Sequence, residues 1–359
     1  MIKYILRKIL YGFLVLWGVM TLIFFLFQVV PGDPARMMLS EREDIDKLEK
    51  VREKYGFNRS ISEQYFLYLN DISPISLHEN KDSNNYTFLH SDKYNLLSLF
   101  HFSNKTLVLK YPYLRESFVK TGKPVFEIVR ETFPLTIILA FTSMLFAVIF
   151  GIILGILIAL YKDSFLDKFI LFVSVIGMSL PSFFASIIIA WFFAYLLHDY
   201  TGLSTTANLF EVDNYGRGEY LNLKALILPA FTLGIRPLSV IIQLTRNAMI
   251  EVLNMDYIRT ATSKGLSRFK VLFKHALINT LNPVITVISG WFASLLAGAV
   301  FVEYIFGWNG IGKEIVEALS TLDMPVVMGS VIMIASVFVM INILVDILYA
   351  KIDPRIKLN

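Results

Sequence analysis

The chain has no cysteine among its 359 residues. Disulfides, thiolate metal sites and a cysteine nucleophile are thereby excluded. Charge is scarce as well: Asp, Glu, Lys and Arg make up 17% of the residues against 55% apolar, and mean hydropathy is +0.60. A soluble globular domain carries about 25% charged residues, so this balance describes an integral membrane protein. Net charge is only +4 with the basic residues dispersed, which gives nucleic acid no basic footprint. Histidine is rare and scattered (His78, His90, His101, His198 and His275). No HExxH pair occurs, so no metal site is expected, and each histidine is expected to be solvated or to cap a helix. No nucleophile–base pair within the apolar runs supports a membrane enzyme.

What the chain has is long apolar runs. Ile9 to Val30 is 22 residues without a charge, enough for the roughly 30 Å hydrocarbon core. Lys3, Arg7 and Lys8 precede it, as in a signal peptide. The run is too long for one, and it continues into Pro31-Gly32-Asp33-Pro34 instead of a small-residue cleavage site, so a retained first helix is expected. Four further stretches supply five more spans: 133–161, 169–197, 226–249, and finally 284–306 with 326–349. Gly151-x-x-x-Gly155 should permit close helix approach. Pro181 should kink its span rather than end it. The expected fold is an all-α polytopic membrane protein with six transmembrane helices.

Orientation follows from the short loops. The amino-terminal tail, 161–168, 246–282 and the carboxy-terminal tail hold fourteen Lys and Arg, whereas the short loops opposite hold only Arg217, Lys224 and Lys313. Both termini are therefore expected in the cytoplasm. Residues 1–30 then form the tail and first helix, 31–131 a large periplasmic loop, and 132–359 the transmembrane core. Within the large loop, Ile45, Leu48, Val51 and Tyr55 share one face of a charged helix that Gly56 should terminate. Residues 71–111, rich in Asn, Ser, Asp and Lys with aromatics between them, look like an insertion, either loop decoration or a docking surface. The Asn-x-Ser/Thr triplets at Asn58, Asn85 and Asn104 are common by chance and carry no weight.

The stretch Asp256 to Pro283 organises the core, inside a loop taken as 246–283. Tyr257 to Lys264 has no breaker and favours about two helical turns. Gly265 can take positive φ and end that helix, and Ser267 can cap a second one with Val271, Leu272 and Ile278 at helical spacing. A short exposed helix, a hinge and a helix leading into the bilayer suit the transmission of movement from a soluble partner. Gly307 to Lys313 fits GxxxxGK, but Glu314 stands where a phosphate-binding loop needs Ser or Thr, and no strand precedes it. The structural reading, glycines in a tight re-entrant turn, is preferred, and the chain is expected to bind no ATP or other cofactor itself. Arg236, deep in its span, and Glu303, near the outer end of another, are the candidate pathway residues. Arg236 either snorkels or bonds nearby carbonyls and Glu303, or it faces the pathway.

Arg259-Thr260-Ala261, Gly265 and His275-Ala276-Leu277 resemble the cytoplasmic coupling loop of ABC-importer permeases. The general form is Glu-Ala-Ala, then Gly, then Ile-x-Leu-Pro. The departures here are similar to the dipeptide/oligopeptide branch, whose loop reads DYxRTAxxKGL…HAL…N. The same branch resembles this chain at PGDP after the first span and at Gln64-Tyr65-Phe66-Leu67. It does so again at Gly298 to Glu303, and at Asp346 to Ala350 with Asp353-Pro354-Arg355. Arg115-Glu116-Ser117 is similar to the end of a GDxGxS motif without its glycines. Between about 71 and 111 the resemblance lapses. It implies a type I importer permease fold in the bacterial inner membrane. Asp256, Tyr257, Arg259, Thr260, Ala261, Lys264, Gly265, Leu266 and His275 would couple it to two ABC ATPase subunits that carry the ATP and magnesium. A homologous second permease, a periplasmic or lipoprotein solute-binding protein and a peptide substrate complete the implied set of partners. Related permeases carry nickel chelates, glutathione or oligosaccharides. From another class, a polytopic membrane enzyme or a stand-alone secondary transporter would have no use for such a loop.

Overall fold

The computed structural model describes residues 2–29, 33–37, 45–79, 87–89, 96–102, 104–212 and 218–352. Pro31, Gly32, Asn85, His90, Arg217 and the Asp353-Pro354-Arg355 tripeptide lie outside them. In chain order, α1 (Ile2–Val29), α2 (Pro34–Met37), α3 (Ile45–Tyr55) and α4 (Ile61–Ile72) are followed by three strands, β1 (Ile75–Glu79), β2 (Leu96–Phe102) and β3 (Lys105–Lys110). Then come α5 (Val125–Leu160), α6 (Phe165–Ser179), α7 (Ser182–Ile189) with a π-helical extension to Leu196, and α8 (His198–Thr201). A small hairpin, β4 (Phe210–Val212) and β5 (Glu219–Leu221), precedes α9 (Ile227–Leu253), α10 (Asp256–Ser263) and α11 (Arg268–Lys270). A π-helical turn, Val271–Ala276, leads into α12 (Leu277–Ile305), then α13 (Ile311–Ser320) and α14 (Met324–Ile352). Five stretches are long and apolar enough to cross a membrane, and a sixth is a broken pair, α6 with the α7 segment.

That broken pair corrects the expectation for Pro181. The two helices meet at 113°, α6 ends at Ser179, and Pro181 stands outside α7 as its N-cap residue. The cause is local: a residue before proline is driven out of the helical region, and Leu180 is extended at φ −72°, ψ 130°. The proline ends one helix and starts the next. By contrast α9 runs unbroken through Pro237.

The chain divides into two compact units. One comprises residues 1–8, 132–316 and 337–359, the other 9–131 and 317–336. In the first, the two glycines of the GxxxG stripe on α5 lie against α9. A Cβ added at Gly151 would stand 2.7 Å from Ile241 Cγ2, and one at Gly155 2.6 Å from Thr245 Cβ. Only a residue without a side chain lets the backbones come this close. Gly234 repeats the device from the α9 side, where a Cβ would meet the Ser143 carbonyl at 2.8 Å.

The second unit corrects the all-α expectation. β1, β3 and β2 form an antiparallel sheet in that order. Its signal is period-2 alternation: Thr106, Val108 and Lys110 are buried, while Lys105 and Leu109 are exposed. His78, expected to be solvated, is instead buried in this sheet, bonded to Ser76 Oγ at 2.9 Å and to the Thr87 carbonyl at 3.2 Å. Tyr68 and Ile72 of α4 pack with Met20 and Phe24 of α1 and with Met328. A Ser60–Glu63 capping box starts α4, and Gly56, at φ +72°, ends α3 as expected. Arg115 holds a left-handed φ of 64° and donates to Asp71 at 2.7 Å. It occupies the place of the second glycine in GDxGxS and takes a left-handed conformation that glycine adopts more readily. Ser117 donates to the buried carboxylate of Asp323, which also accepts the Phe118 N–H at 3.0 Å.

Candidate functional site: the loop between the α9 and α12 spans

The loop is built from its flanks inward. At the end of α9 the Asn254 side chain donates to the Ile250 carbonyl at 2.8 Å, and Met255 is extended (φ −74°, ψ 148°), which turns the chain. α10 then runs for eight residues, Lys264 caps it, and Gly265 follows at φ +76°. A Cβ there would meet nothing within 4 Å, so glycine serves backbone conformation and not packing. Ser267 Oγ accepts the Lys270 N–H at 3.4 Å and caps the next helix. That helix enters α12 through a π-helical turn, a feature that no pattern in the sequence announces.

α10 divides sharply by face. Ile258 and Ala261, three apart, are buried in a cluster with Ala159 of α5, Met249 and Val252 of α9, and Val271 and Ala276. Asp256, Tyr257, Arg259, Thr260 and Lys264 are exposed, while Leu266 and His275 are half-buried. Tyr257 accepts a hydrogen bond from Asn279 at 2.8 Å, which ties α10 to α12. Arg259 and Asp256 approach only to 3.5 Å, both well exposed, a pair worth little. The Phe269 and Phe273 rings lie 4.3 Å apart, tilted by 36°, and are both exposed. Ile278, expected on the apolar face with Val271 and Leu272, is exposed, because the π-turn inserts a residue and rotates the helix beyond it.

The arrangement has a brace that residue spacing does not disclose. Arg246 makes a bidentate pair with Asp167, Nε to Oδ1 and Nη2 to Oδ2, both at 2.6 Å. Asp167 also accepts the Asp163 N–H at 2.9 Å and is 2% exposed. The pair joins the 161–168 loop to the base of the 246–283 loop, which are the two short basic loops assigned to one side. The residues stand 79 apart, beyond any local pattern.

The two candidate pathway residues lie apart. Glu303 is fully buried; it accepts the Gly312 N–H at 2.7 Å, and a Cβ at Gly310 would collide with its carboxylate. The expected reach toward an interface is therefore not observed: Gly310 and Gly312 of the 307–313 turn leave the room that this side chain fills. Gly307 takes φ +64°, and Trp308, buried, donates to the Leu135 carbonyl at 3.1 Å. Arg236 is exposed on α9, with neither Glu303 nor a helix carbonyl as partner. Among the described residues no group of His, Asp and Glu is placed to hold a metal ion.

Residues 151–358 match the family of binding-protein-dependent transport system inner membrane components, and residues 1–84 match the amino-terminal module of such components. The chain belongs to this family. It is a multi-pass membrane permease of an ABC transport system. Full-length relatives agree. The dipeptide transport system permease protein DppB of Alkalihalophilus pseudofirmus is 32% identical over 99% of this chain and 100% of its own. The di/tripeptide permease DppB of Pseudomonas aeruginosa is 33% identical over 99% of both chains. The oligopeptide permease AppB of Bacillus subtilis is 32% identical over 99% of this chain and all of its own. The matched segment 151–358 of the permease contains the whole of α9 to α13, hence the 246–283 loop and the Glu303 turn.

Proposed function

We propose that this permease carries di- or oligopeptides inward across the cytoplasmic membrane as one half of a transmembrane pathway. Six spans with both termini inside, counting the broken α6–α7 pair as one, put the 246–283 loop in the cytoplasm. There α10 is the coupling helix. Asp256, Tyr257, Arg259, Thr260 and Lys264 form its outer surface for an ABC ATPase subunit, Gly265 sets its angle, and Leu266 and His275 support it. ATP and magnesium belong to two such ATPases, and a homologous second permease and a solute-binding protein complete the machine. The large 31–131 segment faces the binding protein's side.

One observation carries the reading. α10 is fastened to its own subunit through Ile258 and Ala261, while its other face is polar, exposed and, apart from the Tyr257–Asn279 hydrogen bond, without strong internal pairing. A helix welded on one side and bare on the other transmits force: motion of whatever grips the bare face passes through the Ala159–Met249–Ala276 cluster into three spans. Names of the relatives supply the substrate class, peptides. The test is reconstitution of the permease pair with its ATPases and binding protein in vesicles, measuring ATP-dependent uptake of labelled peptides. Uptake that needs ATP and the binding protein is the expected result. Transport by the permease alone would instead support a secondary transporter.

A further inference from the structure

Arg236 is the side chain that this permease's fold leaves unexplained. It lies 13 residues from the start of the Leu223–Leu253 span and 17 from its end, near the middle of the membrane. It is exposed on α9 and, among the described residues, it makes no ion pair or hydrogen bond. Its natural counter-ions are both engaged elsewhere: Glu303 is enclosed by the Gly310–Gly312 turn, and Asp167 is clamped by Arg246. A guanidinium in lipid at this depth costs about 3 kcal/mol or more, so the exposed face of α9 does not meet hydrocarbon here. The rest of that face agrees. At helical spacing from Arg236, Val240, Gln243 and Asn247 form one narrow stripe; Val240 and Gln243 are half-buried and Asn247 is exposed. The opposite side of α9, with Gly234, Ile241 and Thr245, is buried.

We infer that the stripe from Arg236 to Asn247 lines the water-filled pathway and that Arg236 is a selectivity residue for the free carboxylate of the passing peptide. This rests on the peptide reading above. A fork of guanidinium donors fits a carboxylate in two hydrogen bonds, and in a wet site the attraction is strong enough to lower a barrier without trapping the cargo. Val240 puts one apolar side chain between the cation and the exposed Asn247 amide, a surface suited to a peptide's mixed backbone and side chains.

The absence of cysteine leaves this chain no background thiol, so labelling is read on its own band. In the complete transporter, the single substitutions Arg236→Cys and Asn247→Cys should react with a negatively charged, water-soluble thiosulfonate, and Ile241→Cys should not. Uptake of tetra-alanine is then compared with that of its carboxy-terminal amide, using one binding protein throughout so that its own preference cancels. The ratio of acid to amide uptake should fall about tenfold in Arg236→Gln relative to the wild type, and Arg236→Lys should recover part of it. An unreactive Arg236→Cys would overturn the proposal, as would an unchanged uptake ratio in an assembled Arg236→Gln transporter. So would loss of the second permease from that variant with an unchanged ratio in the Arg236→Lys form, because Arg236 would then be a counter-ion between subunits. Absence of uptake of both probes by the wild type, with ATP hydrolysis still stimulated by the binding protein, would remove the peptide reading itself.

Discussion

The 246–283 loop and the Glu303 turn lie within one compact unit and are treated oppositely by the fold. In the turn, polar groups face inward: Glu303 takes the Gly312 N–H, Ile311 N–H donates to Thr136 Oγ1 at 2.9 Å, and Trp308 donates to Leu135. In the loop, the apolar residues Ile258 and Ala261 face inward and the polar ones are left outside. Family-like motifs are present in both regions, so motif content alone does not separate a structural device from a docking one. Where the hydrogen-bonding capacity is spent does. The turn spends it internally, and the 246–283 loop leaves most of it at the surface, as the proposed coupling role requires.

This contrast can be broken at several points. The largest effect is expected in the turn. Gly312→Ala would put a Cβ 2.5 Å from the Val300 Cα, backbone that cannot step aside, and should cost about 3 kcal/mol or more, seen as a lowered melting temperature in detergent. Next, Asp167→Asn should cost about 2–3 kcal/mol, because it strips a buried partner from Arg246, whose own 16% exposure softens the loss. Ala261→Asp comes third, at about 2 kcal/mol, since its carboxylate would enter the Met249–Val252 cluster with no partner. That residue supports the coupling surface from beneath, so its variant should lose subunit stability together with ATPase binding. Gly265→Val should cost about 1–2 kcal/mol in backbone strain alone, with no clash, and should re-aim α10.

The smallest effect expected is one of pH on the β1–β3–β2 sheet. Burial, and then the nearby Lys110 cation, hold His78 below the usual histidine range. Lys110 is itself pushed down to about 8, by burial. Below about pH 6.5 the unfolded chain takes up a proton that the folded sheet resists, so the sheet should lose stability as pH falls through that value. Above it, His78 is neutral in both states and contributes no pH dependence. Amide exchange of β3 at about pH 7.5 and about pH 5.5, on either side of the ordinary histidine value, should show the slope flattened in His78→Gln relative to the wild type.

Much of this is legible in the residues themselves. The spans, the Gly151/Gly155 contact, the stop at Gly56 and the α10–Gly265–Ser267 order come from periodicity and from the effects of glycine and serine on a backbone. Other features are not, for identifiable reasons. The Asp167–Arg246 brace and the Ser117–Asp323 bond join residues far apart in sequence, and their side chains look ordinary locally. Pro181 is ambiguous because a proline inside an apolar run is compatible with a kink or a break, and only the extended Leu180 decides between them. Depth alone places Glu303 at an interface, although Gly310 and Gly312 together are the mark of a cavity made for a carboxylate. The burial of Ala261 and the exposure of Arg259 and Thr260 beside it need the structure, because helical spacing gives faces and not which face is inward.

The central claim, that the outward face of α10 and not its inward one engages the ATPase, is tested most directly by the double variant Arg259→Glu/Lys264→Glu. Both side chains are exposed, so the isolated permease should keep its stability within about 0.5 kcal/mol. Co-purification of the ATPases and ATP-dependent uptake in vesicles should both be lost. Full uptake with ATPases bound at the wild-type level would contradict the claim.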